Sequence, residues 1–277
     1  VSSGETITIT AAPNTGYRFV NWTVNGITLT DAQKTSATIS FVMPENDVTV
    51  TANFELMTYT ITFNSNYKNG ATAITKTQTF THGVAKNLDD NTFSMTGYTF
   101  KEWNTNVDGT GTSYANGASY TATSDTVLYA QWTPITYTIS YELNGGTVSG
   151  TNPTSYTVES SAITLINPTK EGYTFAGWTG TGLSSATKTV TIPTGSTGNR
   201  TYTANWTANT YTVSYDANGG TNAPASQTKT HGVDLTLTSD IPTYTGYTFA
   251  GWTTNQDGTG DNYAAGAVYT ANASVTL

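Results

Sequence analysis

The octapeptide GYTFAGWT at residues 172–179 recurs letter for letter at 246–253, and looser copies stand at 97–104 (GYTFKEWN) and 16–23 (GYRFVNWT). The leading glycines, Gly16, Gly97, Gly172 and Gly246, lie 81, 75 and 74 residues apart. Self-similarity at a nearly fixed period marks tandem repeats. The 277-residue chain is therefore expected to fold as four small domains, rather than the one or two that about 100–200 residues per domain would suggest. The expected boundaries are 1–56 (N-terminally incomplete), 57–134, 135–208 and 209–277 (C-terminally incomplete). These ends suggest a segment taken from a longer protein.

Other landmarks keep the same period. Tyr59-Thr-Ile-Thr-Phe63, Tyr137-Thr-Ile-Ser-Tyr141 and Tyr211-Thr-Val-Ser-Tyr215 alternate large apolar with small polar residues, the pattern of a half-buried strand. Asn144-Gly145 and Asn218-Gly219 follow as turn signals, with Asn69-Gly70 as the corresponding pair in the second repeat, because Asn and Gly tolerate positive φ. Each repeat then ends on a strand carrying a terminal aromatic: Phe54, Trp132 and Trp206. Only four residues separate that aromatic from the next repeat's first Tyr, so the repeats read as tightly joined. The fold class expected is mainly β, α+β at most, in an extended rod.

The phrase itself reads as a core part. A repeat of about 75 residues without disulfides is short of apolar area, and each large aromatic buries about 150–250 Å². The expected core signature is Tyr17, Phe19 and Trp22; Tyr98, Phe100 and Trp103 with Trp132; Tyr173, Phe175 and Trp178 with Trp206; and Tyr247, Phe249 and Trp252. Tyr173 and Phe175 share a strand face, whereas Trp178 would turn to the other. A bulge at Gly177 would bring it back. Glu102 holds that place in the second repeat, where the bulge is expected to differ or be absent. The competing reading is an aromatic platform for sugars, which needs at least two solvent-facing aromatics clustered on one repeat.

Chemistry is sparse. The net charge is −8 with ten Lys and Arg, 10% of residues are charged, and there is no Cys. Nucleic acid is therefore not an expected partner, and disulfides and thiolate metal sites are excluded. No stretch of about 18 apolar residues argues for direct membrane insertion. His82 and His231, both in Thr-His-Gly-Val, occupy matching positions of separate repeats and read as turn residues, not as parts of one catalytic site. Asp108 and Asp257, in the two Asp-Gly-Thr-Gly runs, are weak calcium candidates. A full loop needs more oxygen ligands, and Asp-Gly at a hairpin tip accounts for the same letters. No cofactor and no enzymatic activity are expected.

The series Tyr211-Thr-Val-Ser-Tyr-Asp-Ala-Asn-Gly-Gly220, the phrase at 246–252 and Leu128-Tyr-Ala-Gln-Trp132 together resemble the Listeria–Bacteroides repeat, or internalin B-type repeat. The likeness spans 58–277, and the first repeat resembles the divergent form. The third repeat departs at 179–198, where the Asp-Gly-Thr-Gly loop is missing. The resemblance implies small β-grasp-like domains in bacterial surface or secreted proteins, where such repeats form stalks. It carries no general catalytic activity. A stalk that meets copies of itself is the first expectation, and a module binding glycan or host protein is the second.

Overall fold

In the computed structural model, which describes residues 1–68 and 70–277, the alternating runs pair into sheets whose middle strand is the last in sequence. In the second repeat that closing strand is Thr126–Pro134. It runs parallel to the first strand, Thr58–Asn64, with Ile61 opposite Thr126 and Phe63 opposite Leu128. On its other side it runs antiparallel to the phrase strand, Tyr98–Asn104. The third repeat reproduces the arrangement: Arg200–Ala208 lies between Tyr137–Glu142, parallel, and Tyr173–Gly180, antiparallel. In the first repeat Thr49–Leu56 pairs with the phrase strand Tyr17–Asn25, and a second ribbon joins Thr6–Thr10 to Thr38–Val42.

Helix is almost absent because the chain offers β-branched and aromatic alternation in place of a 3.6-residue period. The described exception is Asp31–Thr35, started by a capping box between Thr30 and Gln33. The protein is mainly β. It divides into two units, 1–135 and 136–277, each holding two separate apolar clusters. The phrase tryptophans anchor those clusters: Trp22, Trp103, Trp178 and Trp252 are all buried. Phenylalanine lies beside tryptophan each time, with ring centroids 5.1, 5.0, 5.5 and 5.0 Å apart.

Two local expectations need correction. The bulge does not depend on glycine. In the second repeat Phe100 faces Trp132 and Glu102 faces Gln131, leaving Lys101 as the extra residue. Val20 and Ala176 are the corresponding extras in the first and third repeats. The bulge is set by the need to bring both Phe and Trp to one face, and any side chain can point outward at the extra position. Gly177 has φ +136°, and a Cβ there would come 2.7 Å from the Thr187 backbone nitrogen. Its glycine answers a close backbone approach made where this repeat lacks the Asp-Gly loop. The second correction is the turn. Asn144 and Asn218 do take positive φ (49° and 44°), but the matching residue of the second repeat is Asn66, φ 45°, instead of the Asn69-Gly70 pair, whose Asn69 lies outside the described residues.

Trp178 is fully buried, and its indole Nε1 donates to Asn167 Oδ1 at 2.9 Å. Trp178→Ala is expected to destabilise the third repeat by about 3–5 kcal/mol. Chemical denaturation followed by NMR would check this, and a third repeat that keeps its native stability would refute the core assignment.

Candidate functional site

The features that repeat most closely are the joins between consecutive repeats. Each phrase glycine sits in a turn at positive φ, +85° at Gly16 and +75° at Gly172, where glycine has little steric cost. Its carbonyl accepts the amide of the linker residue: Met57 to Gly16 at 2.8 Å, Ile135 to Gly97 at 2.8 Å, and Asn209 to Gly172 at 2.9 Å. At two joints the linker carbonyl then accepts a histidine amide, His82 to Met57 at 2.8 Å and His231 to Asn209 at 2.9 Å. The imidazole lies against the glycine so closely that a Cβ on Gly16 would overlap His82, and one on Gly172 would overlap His231.

The phrase tyrosine belongs to this joint more than to the core. Tyr173 meets His231 edge-on at 5.3 Å, and the Lys170 ammonium lies 4.3 Å from its ring centroid. The Tyr211 hydroxyl and His231 Nδ1 are hydrogen-bonded at 3.2 Å. Tyr98 packs at the edge of its cluster, whereas Tyr17 is 42% and Tyr247 74% exposed. For Tyr17 and Tyr247 the core reading is therefore corrected: Tyr17 lies at the end of its phrase strand opposite Leu56, outside the aromatic cluster, and Tyr247 lies in a segment that forms no strand and stacks on Tyr244. Both histidines are turn residues, each placed on its own joint.

The closing strand has a second clamp. Asn66 and Asn144 each donate Nδ2 to a carbonyl of that strand, Ala130 and Ala204, at 2.9 Å. Trp132 and Trp206 return the bond, their Nε1 donating to Ser65 and Leu143 carbonyls at 2.8 and 3.0 Å. The positive-φ turn thus positions an amide for recognition of the backbone.

The Asp-Gly-Thr-Gly loops are internally satisfied. Asp108 Oδ1 accepts from the Thr110 amide and hydroxyl at 3.0 and 2.7 Å. Asp257 accepts from Thr259 at 2.9 and 2.6 Å. These bonds, the Thr hydroxyl foremost, hold both carboxyls below the ordinary value of 3.8. Buried Asn104 organises the first loop, donating to Gly109 and Gly111 carbonyls at 3.1 and 3.2 Å. Among the described residues no three acidic, His or Cys side chains gather as a metal site.

Comparison with known proteins matches residues 59–131, 137–205 and 211–277 to the Listeria-Bacteroides repeat domain, and residues 1–58 to the divergent InlB B-repeat domain. A protein of Evansella cellulosilytica called "Putative Gly-rich membrane protein" is 33% identical over 246 residues, 86% of this chain and 27% of the relative. A second protein from that organism, "Putative membrane protein", is 30% identical over 231 residues, 80% of this chain and 32% of the relative. The chain thus spans about a third or less of the relatives it matches. Among the described residues no helix is long and apolar enough to cross a membrane.

The joint generates a double-mutant test. Gly172→Ala should destabilise through the left-handed backbone, about 1–2 kcal/mol, and through collision with His231. Adding His231→Ala should recover the collision part only, so the double variant should melt above Gly172→Ala. A double variant as unstable as the sum of the single changes would remove the imidazole from the joint.

The loops generate a pH test. A carboxyl with a depressed folded-state pKa stabilises above its unfolded value and loses that contribution as pH falls through the folded one. The Thr110 and Thr259 amide resonances should therefore titrate with midpoints below 3.8, and Asp108→Asn should abolish the first transition alone. Midpoints at or above that value would contradict the bonding described.

Proposed function

Because this chain belongs to the Listeria–Bacteroides repeat family, we propose that it is a stalk or spacer segment of a bacterial cell-surface or secreted repeat protein. The observation that carries this reading is the recurring joint. The same glycine carbonyl receives the linker amide three times, and at two of these joints a histidine covers the glycine. Within each unit, the joint that a histidine covers restricts bending between the two repeats it connects, which a spacer needs. The names of the relatives, which mention a membrane, support a place at the cell envelope. In this reading the histidines are joint parts and no reaction is assigned. An adhesin-like role, with copies meeting through sheet edges that few Lys residues guard, follows as the working form.

One observation favours the binding alternative. Tyr244 and Tyr247 are exposed, 52% and 74%, and stack at 4.7 Å with 17° between their planes. Sugar rings stack on such surfaces, so a glycan or host-protein module remains the second reading.

Small-angle scattering should separate the roles. At about 25–30 Å per repeat, a stalk gives a maximum dimension on the order of 100 Å, and a globular envelope around one centre would reject it. Sedimentation of the same samples should reveal concentration-dependent association, and a strict monomer at high concentration would remove the self-association component.

A further inference from the structure

The phrase tryptophan is buried in every repeat, yet its indole N–H is not served equally. Trp22 Nε1 donates to the Ser36 carbonyl at 2.8 Å, and Trp178 Nε1 donates to Asn167 Oδ1 at 2.9 Å. Trp103 and Trp252 have no acceptor among the described residues. A buried donor without a partner is uncommon and costly. Eleven residues before the tryptophan, where the third repeat has Asn167, the fourth has Ile241 and the second has Thr92. Ile241 has no side-chain acceptor to offer. Thr92 has one, but its hydroxyl accepts the Lys76 ammonium instead. Trp103 pairs with Ala130 as Trp178 pairs with Ala204, so its N–H faces the side of residue 92. A cavity of about 350 Å³ lies there, lined by Thr92 and Trp103 together with Phe63, Phe93, Lys76, Asp89 and Asp90.

We propose that this cavity of the second repeat is a binding site for a single neutral sugar ring, one of whose hydroxyl oxygens accepts the Trp103 N–H. The residues at its mouth define the ligand. Lys76, Asp89, Asp90 and Thr92 are exposed, and the buried rings of Phe63, Phe93 and Trp103 form the floor. A bound molecule must bring an acceptor to the indole and donors to two carboxylates. An anion is repelled by the aspartates, and an ammonium carries donors alone. A hydroxyl does both, and neighbouring hydroxyls of one ring can reach both carboxylates at once. Asp90 Oδ1 already accepts from Asn116 Nδ2 at 2.9 Å, which fixes that carboxylate and leaves its second oxygen for the ligand. The Lys76 ammonium lies 5.8 Å from the Phe93 ring centroid and is held in the chain by Thr92 alone. A sugar entering between them takes over that bond, with Lys76 donating to a ring hydroxyl. The size suits one ring, at the small end of ordinary ligand sites. The site goes beyond both readings above, since it lies in the second repeat and uses nothing of the Tyr244–Tyr247 surface.

The probes are the methyl glycosides of glucose, galactose, mannose and N-acetylglucosamine, titrated into the 277-residue protein and followed by NMR. At least one should shift the Trp103 indole N–H and the amides of Asp89 to Phe93, and should do so saturably. Two variants then separate binding from folding. Thr92→Asn places a carboxamide where the third repeat has Asn167, so it should give Trp103 an acceptor from its own chain and close the site. Asp89→Asn removes one carboxylate at an exposed position. Each should weaken binding at least about tenfold, a factor readily resolved in a titration, while the other five indole signals stay in place. No saturable shift with any of the four glycosides would overturn the proposal. So would undiminished binding by Thr92→Asn, or a water contact at the Trp103 N–H that no glycoside disturbs. Shifts at Tyr244 and Tyr247 without Trp103 would support the other surface and reject this one. A short neutral peptide, acetyl-glycyl-glycinamide, that shifts Trp103 where the glycosides do not would also reject it.

Discussion

Everything in a repeat depends on the closing strand being held from both sides. In the second and third repeats its parallel neighbour is the first strand and its antiparallel neighbour is the phrase strand, so the two ends of the repeat meet at its centre. Parallel neighbours cannot be joined by a tight hairpin, and the phrase strand and its loops occupy the crossover. That explains why one short sequence holds Tyr, Phe and Trp together. It must lie along the last strand and also roof the cluster beneath it. The bulge lets one strand do both, because it returns tryptophan to the face that phenylalanine already occupies.

The sequence made the strands and tryptophan anchors readable, since period-2 alternation and repeated aromatics are local signals. What escaped it was contact across long separations. The alternation places Tyr173 and Phe175 on one face, but it cannot say that the cover over Tyr173 comes from His231 in the next repeat. Asn66 was hidden because Tyr67 follows it in place of glycine, so its turn lacks the Asn-Gly signature although it takes the same φ. Asn104 looked like the end of a phrase and proved to be the hub of a loop. In each case a polar side chain satisfies backbone groups that the repeat's irregular segments leave over, and its letter alone does not reveal the partner.

The glycine of the phrase meets two demands that usually fall to separate residues. Its φ turns the chain into the phrase strand, and its missing side chain leaves room for an imidazole from the next repeat. Burial of the imidazole has a cost that the two joints meet differently. His231 has a tyrosine hydroxyl on Nδ1, while His82 Nδ1 is buried without a hydrogen-bond partner among the described residues. The joints share a shape but differ in polar satisfaction. Polar satisfaction is therefore a property of each joint, in line with the nearest-neighbour character of repeat arrays.

This connection sets the direction in which load passes through a repeat. The chain enters at the start of the first strand and leaves at the end of the closing strand, with the next first strand beginning within a few residues: Leu56 then Thr58, Pro134 then Tyr137, Ala208 then Thr210. In the second and third repeats these two strands are parallel, so tension on the chain ends would slide one along the other. The ladder between them, Ile61 to Asn64 against Thr126 to Tyr129 in the second repeat, is then strained along its whole length at once instead of being opened bond by bond. The asparagine amide and the indole Nε1 tie the closing strand to the turn that follows the first strand, so they resist the same sliding. The arrangement that fills a small core without disulfides thus also places the bonds of the closing strand along the direction in which tension on the chain would act.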